Sequence, residues 1–249
     1  DENRIQESIE EPSQEPIEEP SQEPIEDRIA FWNEPERVER FAGRDPDHRL
    51  AALLGQYEDP SGTRVLDLGC AGGRNSVLLA ERGFDLWALD AASAMVARTR
   101  ERLAALIGPD KARRRVREGR MEELGSFEDG SFDLVVAIGI YHCAEGEVPW
   151  RKALAESVRV LAPRGTLLVS QFAPGTTVSG NPHVKEADQL DEALRAEGLV
   201  PVSAPETVIR EAEGGRRVTV SGLYRKSRSE IGSTDGRNEG SAARNAEAT

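Results

Sequence analysis

Short apolar runs and amphipathic stretches alternate along the middle of this chain. Thr63 to Leu68 (TRVLDL) is apolar and closes on Gly69, which predicts a buried strand. Asn75 to Arg82 has Val77, Leu78 and Leu79 apolar and Gly83 as a stop, which predicts a helix. Phe84 to Leu89 predicts a second strand, ending at Asp90. Ser93 to Ile107 carries Met95, Val96, Leu103, Leu106 and Ile107 in a helical pattern that Gly108-Pro109 breaks. Arg114 to Glu118 reads as a weak third strand and Phe132 to Ile138 (FDLVVAI) as a strong fourth. Trp150 to Leu161 predicts a helix with Leu154, Val158 and Leu161 on one face. Pro163-Arg164-Gly165 turns the chain into a fifth strand, Thr166 to Phe172. Glu186 to Glu197 is a helix stopped by Gly198. Leu199 to Arg210 and Arg216 to Tyr224 read as a hairpin about Gly214-Gly215.

Strict alternation of strand and helix implies an α/β fold, a doubly wound and mostly parallel sheet covered on both faces. The closing hairpin places an antiparallel strand at one edge. Such sheets bind ligands beyond the carboxyl ends of their strands, where the strand order reverses. Attention therefore falls on the residues after Leu68, Asp90, Glu118 and Ile138.

Composition changes the picture mainly at the ends. Of the net charge of -13, residues 1–27 contribute -10, with eleven acidic side chains against Arg4 alone. An octapeptide recurs there, Ser13 to Pro20 and again Ser21 to Arg28, with two prolines in the first copy. One Ile per repeat buries too little apolar area to offset ordering entropy, so 1–27 reads as a disordered acidic tail. A spacer and a partner-docking segment are both open for it. Residues 227–249 read as a second disordered tail, leaving 28–226 as one domain in which 28–60 forms a lid. The chain of 249 residues has no apolar run of membrane-spanning length and no signal-peptide pattern at its acidic start. Two cysteines, Cys70 and Cys143, exclude a disulfide scaffold and a cysteine-built structural zinc site. A cytoplasmic setting and the absence of a metal are the expectations.

The loop after the first strand, Asp67-Leu68-Gly69-Cys70-Ala71-Gly72-Gly73-Arg74-Asn75, lets backbone approach a ligand and turn into a helix. A Gly-x-Gly-x-x-Gly dinucleotide fingerprint fails, because its last position falls on Arg74 or Val77. A Walker phosphate loop fails for want of Gly-Lys-Ser/Thr.

At these residues the chain resembles motif I of the class I S-adenosylmethionine-dependent methyltransferases, with Ala71 standing at the middle glycine. Further along, Asp90, Gly119 to Leu124, Glu128 to Asp133, Ala137 to His142 and Leu161 to Leu167 are similar to later family segments, in order and spacing. The likeness covers roughly 60–172 and extends more loosely to 226. It implies a Rossmann-like seven-stranded sheet with an antiparallel seventh strand, and S-adenosylmethionine as cofactor. It also implies cofactor contacts from Asp67, Gly69, Cys70, Ala71, Gly73, Asp90, Ala91, Arg120, Met121, Glu122 and Ile138. Asp90 would take the ribose hydroxyls, Asp67 the methionine end and Met121 the adenine face. Competing readings remain for each: Asp67 as a loop brace, Asp90 as a helix cap, and Met121 and Cys70 as packing.

Methyl transfer needs acceptor and methyl held in line, and needs a base only where the acceptor must lose a proton. His142 is the candidate base and Tyr141 a candidate acceptor contact, because both follow the fourth strand. His48, Tyr57 and His183 sit in segments expected to cap the acceptor pocket, and the Ala173 to Lys185 loop is expected to form its opposite wall. Ile138-Gly139-Ile140-Tyr141 replaces the Asn/Asp-Pro-Pro-Tyr/Phe of amino-group methylation on nucleic acid. Cys143 lacks the preceding proline of cytosine methylation. The basic cluster Lys111, Arg113, Arg114, Arg115, Arg117 and Arg120 reads as a solvated face, and the acidic charge disfavours nucleic acid. A small-molecule acceptor and a monomer or homodimer are the expectations. A protein or RNA acceptor and an inactive cofactor-binding scaffold are the alternatives.

Overall fold

The computed structural model describes residues 25–177, 182–212 and 215–227. Three helices come first: α1 (Ile25–Trp32), α2 (Pro35–Ala42) and α3 (His48–Leu54). There follow β1 (Arg64–Leu68), α4 (Arg74–Glu81), β2 (Asp85–Asp90), α5 (Ser93–Ile107), α6 (Pro109–Arg115) and β3 (Val116–Glu118). Next come β4 (Phe132–Ile138), a 3-10 turn at Tyr141–Cys143, α7 (Glu147–Val160) and β5 (Leu161–Phe172). The chain closes with α8 (Ala187–Ala196), β6 (Leu199–Pro201), β7 (Glu206–Ala212) and β8 (Gly215–Lys226).

The strands form one sheet in the order β3-β2-β1-β4-β5-β8-β6. The first five pair in parallel, and β8 runs antiparallel to β5. Successive strand residues point to opposite faces, so β4 feeds two cores. Leu134 and Val136 pack with Leu79, Val96 and Leu103 of α4 and α5. Val135 and Ala137 pack with Trp150, Leu154 and Leu190 of α7 and α8. Strand order reverses between β1 and β4, which opens a crevice at their carboxyl ends.

The structure revises four expectations. Residues 109–115 form a helix where the weak third strand was expected to start, and only Val116–Glu118 pair with β2. Pro109 opens that helix, Asp110 sits in its first turn and Arg113, Arg114 and Arg115 in its last, an order that suits the helix dipole. The sheet has eight strands rather than seven. The expected strand from Leu199 to Arg210 is broken into β6 and β7, which pair with successive parts of one edge of β8. Pro201 and Pro205 bound the break, and proline donates nothing to a ladder. Helix α1 begins at Ile25, inside the segment read as tail. Ser227 is also pinned, since its backbone N–H and hydroxyl both donate to the Gly198 carbonyl, at 3.1 and 2.7 Å. The rest of both expected tails, 1–24 and 228–249, lies outside the described residues, as does Gly214 of the hairpin turn.

Candidate functional site

Four loops meet at the crevice: those leaving β1, β2, β3 and β4. Together with α1 and α2 they enclose a cavity of about 1070 Å3, counting its open mouth. The first loop is shaped by its glycines. Gly69 has φ 76° and Gly73 φ 82°, the left-handed region that side chains resist. A methyl group at Gly69 would sit 2.8 Å from the Ile140 side chain, so no other residue lets these two loops approach. Ala71 also adopts a positive φ, 47°.

Side chains from two neighbouring elements hold the loop. The Asp90 carboxylate, at the end of β2, accepts the N–H of Ala71 at 2.8 Å and of Ala92 at 2.9 Å. Burial raises its pKa, while the N–H groups of Ala92, Ala71 and Ala91 oppose the shift. From α5, the Thr99 hydroxyl donates to the Ala71 carbonyl at 2.7 Å and Arg102 to the Gly72 carbonyl at 2.8 Å. Asp67 is 2% exposed and lies beneath the loop, accepting the Ser76 hydroxyl at 2.6 Å. Burial pushes its pKa up to about 6, with the Ser76 bond pulling the other way.

Helices α1 and α2 roof the cavity. Trp32, Phe41 and Val38 pack with Ala92, Met95 and Ala71. Asn33 accepts the Ala94 N–H at 2.8 Å, and Glu39 pairs with Arg98 at 3.0 Å. The lid also rests directly on the glycine loop: a Cβ at Gly72 would lie 2.6 Å from the backbone nitrogen of Ala42.

Of the residues singled out from the sequence, Gly69, Cys70, Ala71, Asp90, Ala91, Arg120, Met121, Glu122 and Ile138 line the cavity. Asp67, Gly73, Tyr141 and His142 are absent from its walls. Tyr141 is fully buried and donates its hydroxyl to Ser157 at 2.8 Å, well inside the core. His142 is 8% exposed, stacks on Phe172 with centroids 4.0 Å apart, and accepts the Phe172 N–H on Nδ1 at 3.2 Å. Burial lowers its pKa to about 3, helped by the Arg28 charge, so the imidazole is neutral and a weak base. Tyr57 packs edge-on against Phe84 below the sheet, and His48 is exposed at the start of α3. His183 donates its backbone N–H to the His142 carbonyl at 2.8 Å, which places the described end of the 173–185 loop behind His142. The described parts of that loop, 173–177 and 182–185, do not line the cavity, whereas Cys143, Ala144 and Glu145 do.

Thr99, Arg102 and the wall residues Arg28 and Glu145 were not anticipated. Thr99 carried a signal, a polar residue four positions after Met95 in an apolar helical stripe. Arg28 carried none, since it closes the second octapeptide.

The donor set fits S-adenosylmethionine. A carboxylate stands on the wall at Asp90, Leu89 and Met121 offer an apolar surface, and Glu122 and Glu145 on the wall are matched by Arg120. Among the described residues no cluster of three His, Cys, Asp or Glu is arranged for a metal, and no helix is long and apolar enough to cross a membrane.

Comparison with known proteins agrees with this geometry. A family profile described as a methyltransferase domain matches residues 65–165. A demethylmenaquinone methyltransferase of Parafrankia sp. (strain EAN1pec) is 32% identical over 187 residues, covering 70% of this chain and 71% of that protein. The O-antigen chain terminator bifunctional methyltransferase/kinase WbdD of Escherichia coli is 35% identical over 107 residues. That match spans 41% of this chain but only 15% of that protein. Among solved structures, the 1,6-didemethyltoxoflavin-N1-methyltransferase of Burkholderia thailandensis superposes with a TM-score of 0.55 at 23% identity, over 81% of this chain and 83% of that one. At that identity the likeness concerns the fold.

Proposed function

Because the chain belongs to the class I S-adenosylmethionine-dependent methyltransferases, we propose that it methylates a small molecule held beneath α1 and α2. One observation carries the reading: the cavity at the β1/β4 switch point has Asp90 on one wall and Trp32 and Phe41 in its roof. Trp32 and Phe41 in the roof favour an acceptor with apolar surface, and the Parafrankia relative is named as a demethylmenaquinone methyltransferase. When bound, S-adenosylmethionine supplies a methyl group on a positively charged sulfur. The chain's own part is then to hold, orient and keep dry. Asp90 uses its remaining lone pairs for the ribose hydroxyls, and Met121 packs on the adenine. Asp67 acts from below, by fixing α4 against the glycine loop through Ser76. Its effect on the cofactor is therefore positional. Tyr141 and His142 support the loop after β4 from behind. Catalysis then rests on proximity and alignment, and no proton passes through His142.

Calorimetric titration of S-adenosylmethionine and S-adenosylhomocysteine tests the cofactor site. Micromolar binding to the wild type is expected, weakened at least about tenfold in Asp90→Ala, a loss of roughly 1.4 kcal/mol. A folded wild-type chain that binds neither compound overturns the methyltransferase reading.

A further inference from the structure

Arg28 lines the cavity beside the segment that follows β4, and no ion pair joins it to any side chain described from residue 28 onward. Its neighbours across the wall are accounted for: Arg120 pairs with Glu122 and stands 3.9 Å from Glu145, while Arg74 donates to the Asp45 carbonyl at 3.0 Å. Among the residues whose side chains are described, from Arg28 onward, no carboxylate lies within ion-pairing distance of Arg28. Its one hydrogen bond there is a long one, 3.5 Å to the Ala144 carbonyl. That bond places the guanidinium against the segment that follows β4, beside Cys143 and below Ile29 and Trp32 of the roof. The side chain is half-buried, so its charge is only partly screened by water. A guanidinium in such a place is best satisfied by an oxygen anion, which it can grip with two parallel N–H bonds.

We propose that Arg28 is an anion-binding subsite for the acceptor, which carries a carboxylate or phenolate oxygen on an apolar, ring-sized body. The proposal rests on the methyltransferase reading and names the substrate class within it. The apolar body is called for by Trp32, Phe41 and Ile140, which line the same cavity as Arg28 with ring and branched surfaces. An ionised phenolate held by Arg28 is already nucleophilic, so this arrangement dispenses with a base at a site where His142 is buried and neutral. For a phenol, the acidic proton leaves to water before transfer. The oxygen lone pair then forms the new bond to the methyl carbon as the carbon–sulfur bond breaks, and sulfur keeps that electron pair. For a carboxylate-bearing acceptor, Arg28 anchors the carboxylate while a hydroxyl elsewhere on the ring loses its proton to water and its oxygen takes the methyl as the carbon–sulfur bond breaks.

The test is calorimetric, on the full chain saturated with S-adenosylhomocysteine. The probes are 2-naphthoate and its neutral isostere 2-naphthamide. In the wild type, the anion is expected to bind at least about tenfold more tightly than the amide, the advantage of a charge-assisted pair. In Arg28→Met that ratio falls to about one, and in Arg28→Lys it is intermediate because a lysine keeps the charge and loses the fork. S-adenosylhomocysteine itself is expected to bind Arg28→Met and wild type alike. Equal affinity for the two probes in the wild type, or a preference that survives Arg28→Met, overturns the proposal. So does loss of S-adenosylhomocysteine binding in Arg28→Met, which would assign Arg28 to the cofactor. A wild type that binds no S-adenosylhomocysteine refutes the methyltransferase reading instead. The anion preference is then judged from the same probe pair titrated into the unsaturated chain.

Discussion

At the scale of single residues, the site is governed by buried groups with opposite responses to pH. Asp67 titrates at about 6 in the folded chain, above its usual 3.8, because burial disfavours its charge. The folded state therefore keeps a proton that the unfolded chain has released, and stability falls as pH rises from about 4 to about 6. The full effect is about 3 kcal/mol, which Asp67→Asn removes while leaving an oxygen to accept the Ser76 hydroxyl. Urea midpoints measured across that window are expected to show the variant gaining on the wild type with rising pH. His142 works the other way: its folded pKa near 3 lies below the usual 6.5, so it lowers stability as pH falls through that interval. Its ring proton signals in NMR are expected to stay fixed between about pH 5 and 8. A titration in that range would reopen its candidacy as a base. Ala71 occupies the left-handed region that its methyl resists, so Ala71→Gly is expected to raise stability by up to about 1 kcal/mol. Thermal melts decide this. The glycine turn and the acidic strand end were legible from residue type and order, Met121 only through the family resemblance, and all of them line the cavity. The orientation of Tyr141 and His142 was not readable. A residue one or two places beyond a strand end can face the cavity or the core, and here the 3-10 turn sends both to the core.

At the scale of elements, the lid and the glycine loop are one device. Helix α2 meets the loop at Gly72, where any side chain would strike the Ala42 backbone. Gly72→Val should displace α2, destabilise the fold by about 1–3 kcal/mol and weaken S-adenosylhomocysteine binding severalfold. Circular dichroism and calorimetry separate a shifted lid from a collapsed domain. The strands and most helices were legible, because hydrophobic period and glycine stops are local signals. Helix α5 falls on the expected Ser93–Ile107, and β4 on the expected Phe132–Ile138. The helix over 109–115 was missed, and Arg114 and Arg115 were read as strand, because a short, arginine-rich segment has no apolar period to reveal its state. End effects at Pro109 and in the last turn decide it instead.

At the scale of the whole molecule, the chain's last strand locks its middle. Lys226, at the end of β8, donates to the Val158 carbonyl at 2.6 Å and the Leu161 carbonyl at 2.7 Å, where α7 runs into β5. The Val158 carbonyl also accepts the Leu161 N–H, so the ammonium adds a charge-assisted bond at the helix end and ties β8 to the start of β5. Lys226→Met should cost about 1–3 kcal/mol while leaving cofactor affinity unchanged, because the contact lies at the amino end of β5, away from the cavity. Chemical denaturation together with calorimetry checks both halves of that statement.

What the sequence determined by itself was the alternating architecture, the crevice at the strand ends, and the glycine loop and acidic strand end that line it. All follow from local chemistry: period, turn residues and the spacing between them. Tertiary structure alone decided which side chains reach the cavity. It placed Arg28 from the lid against the Ala144 carbonyl of the β4 loop, 116 positions away, and it buried His142 and Tyr141. The physical reason is that orientation depends on how distant elements pack. A buried or unpaired charge is a property of those neighbours, and no local pattern encodes it.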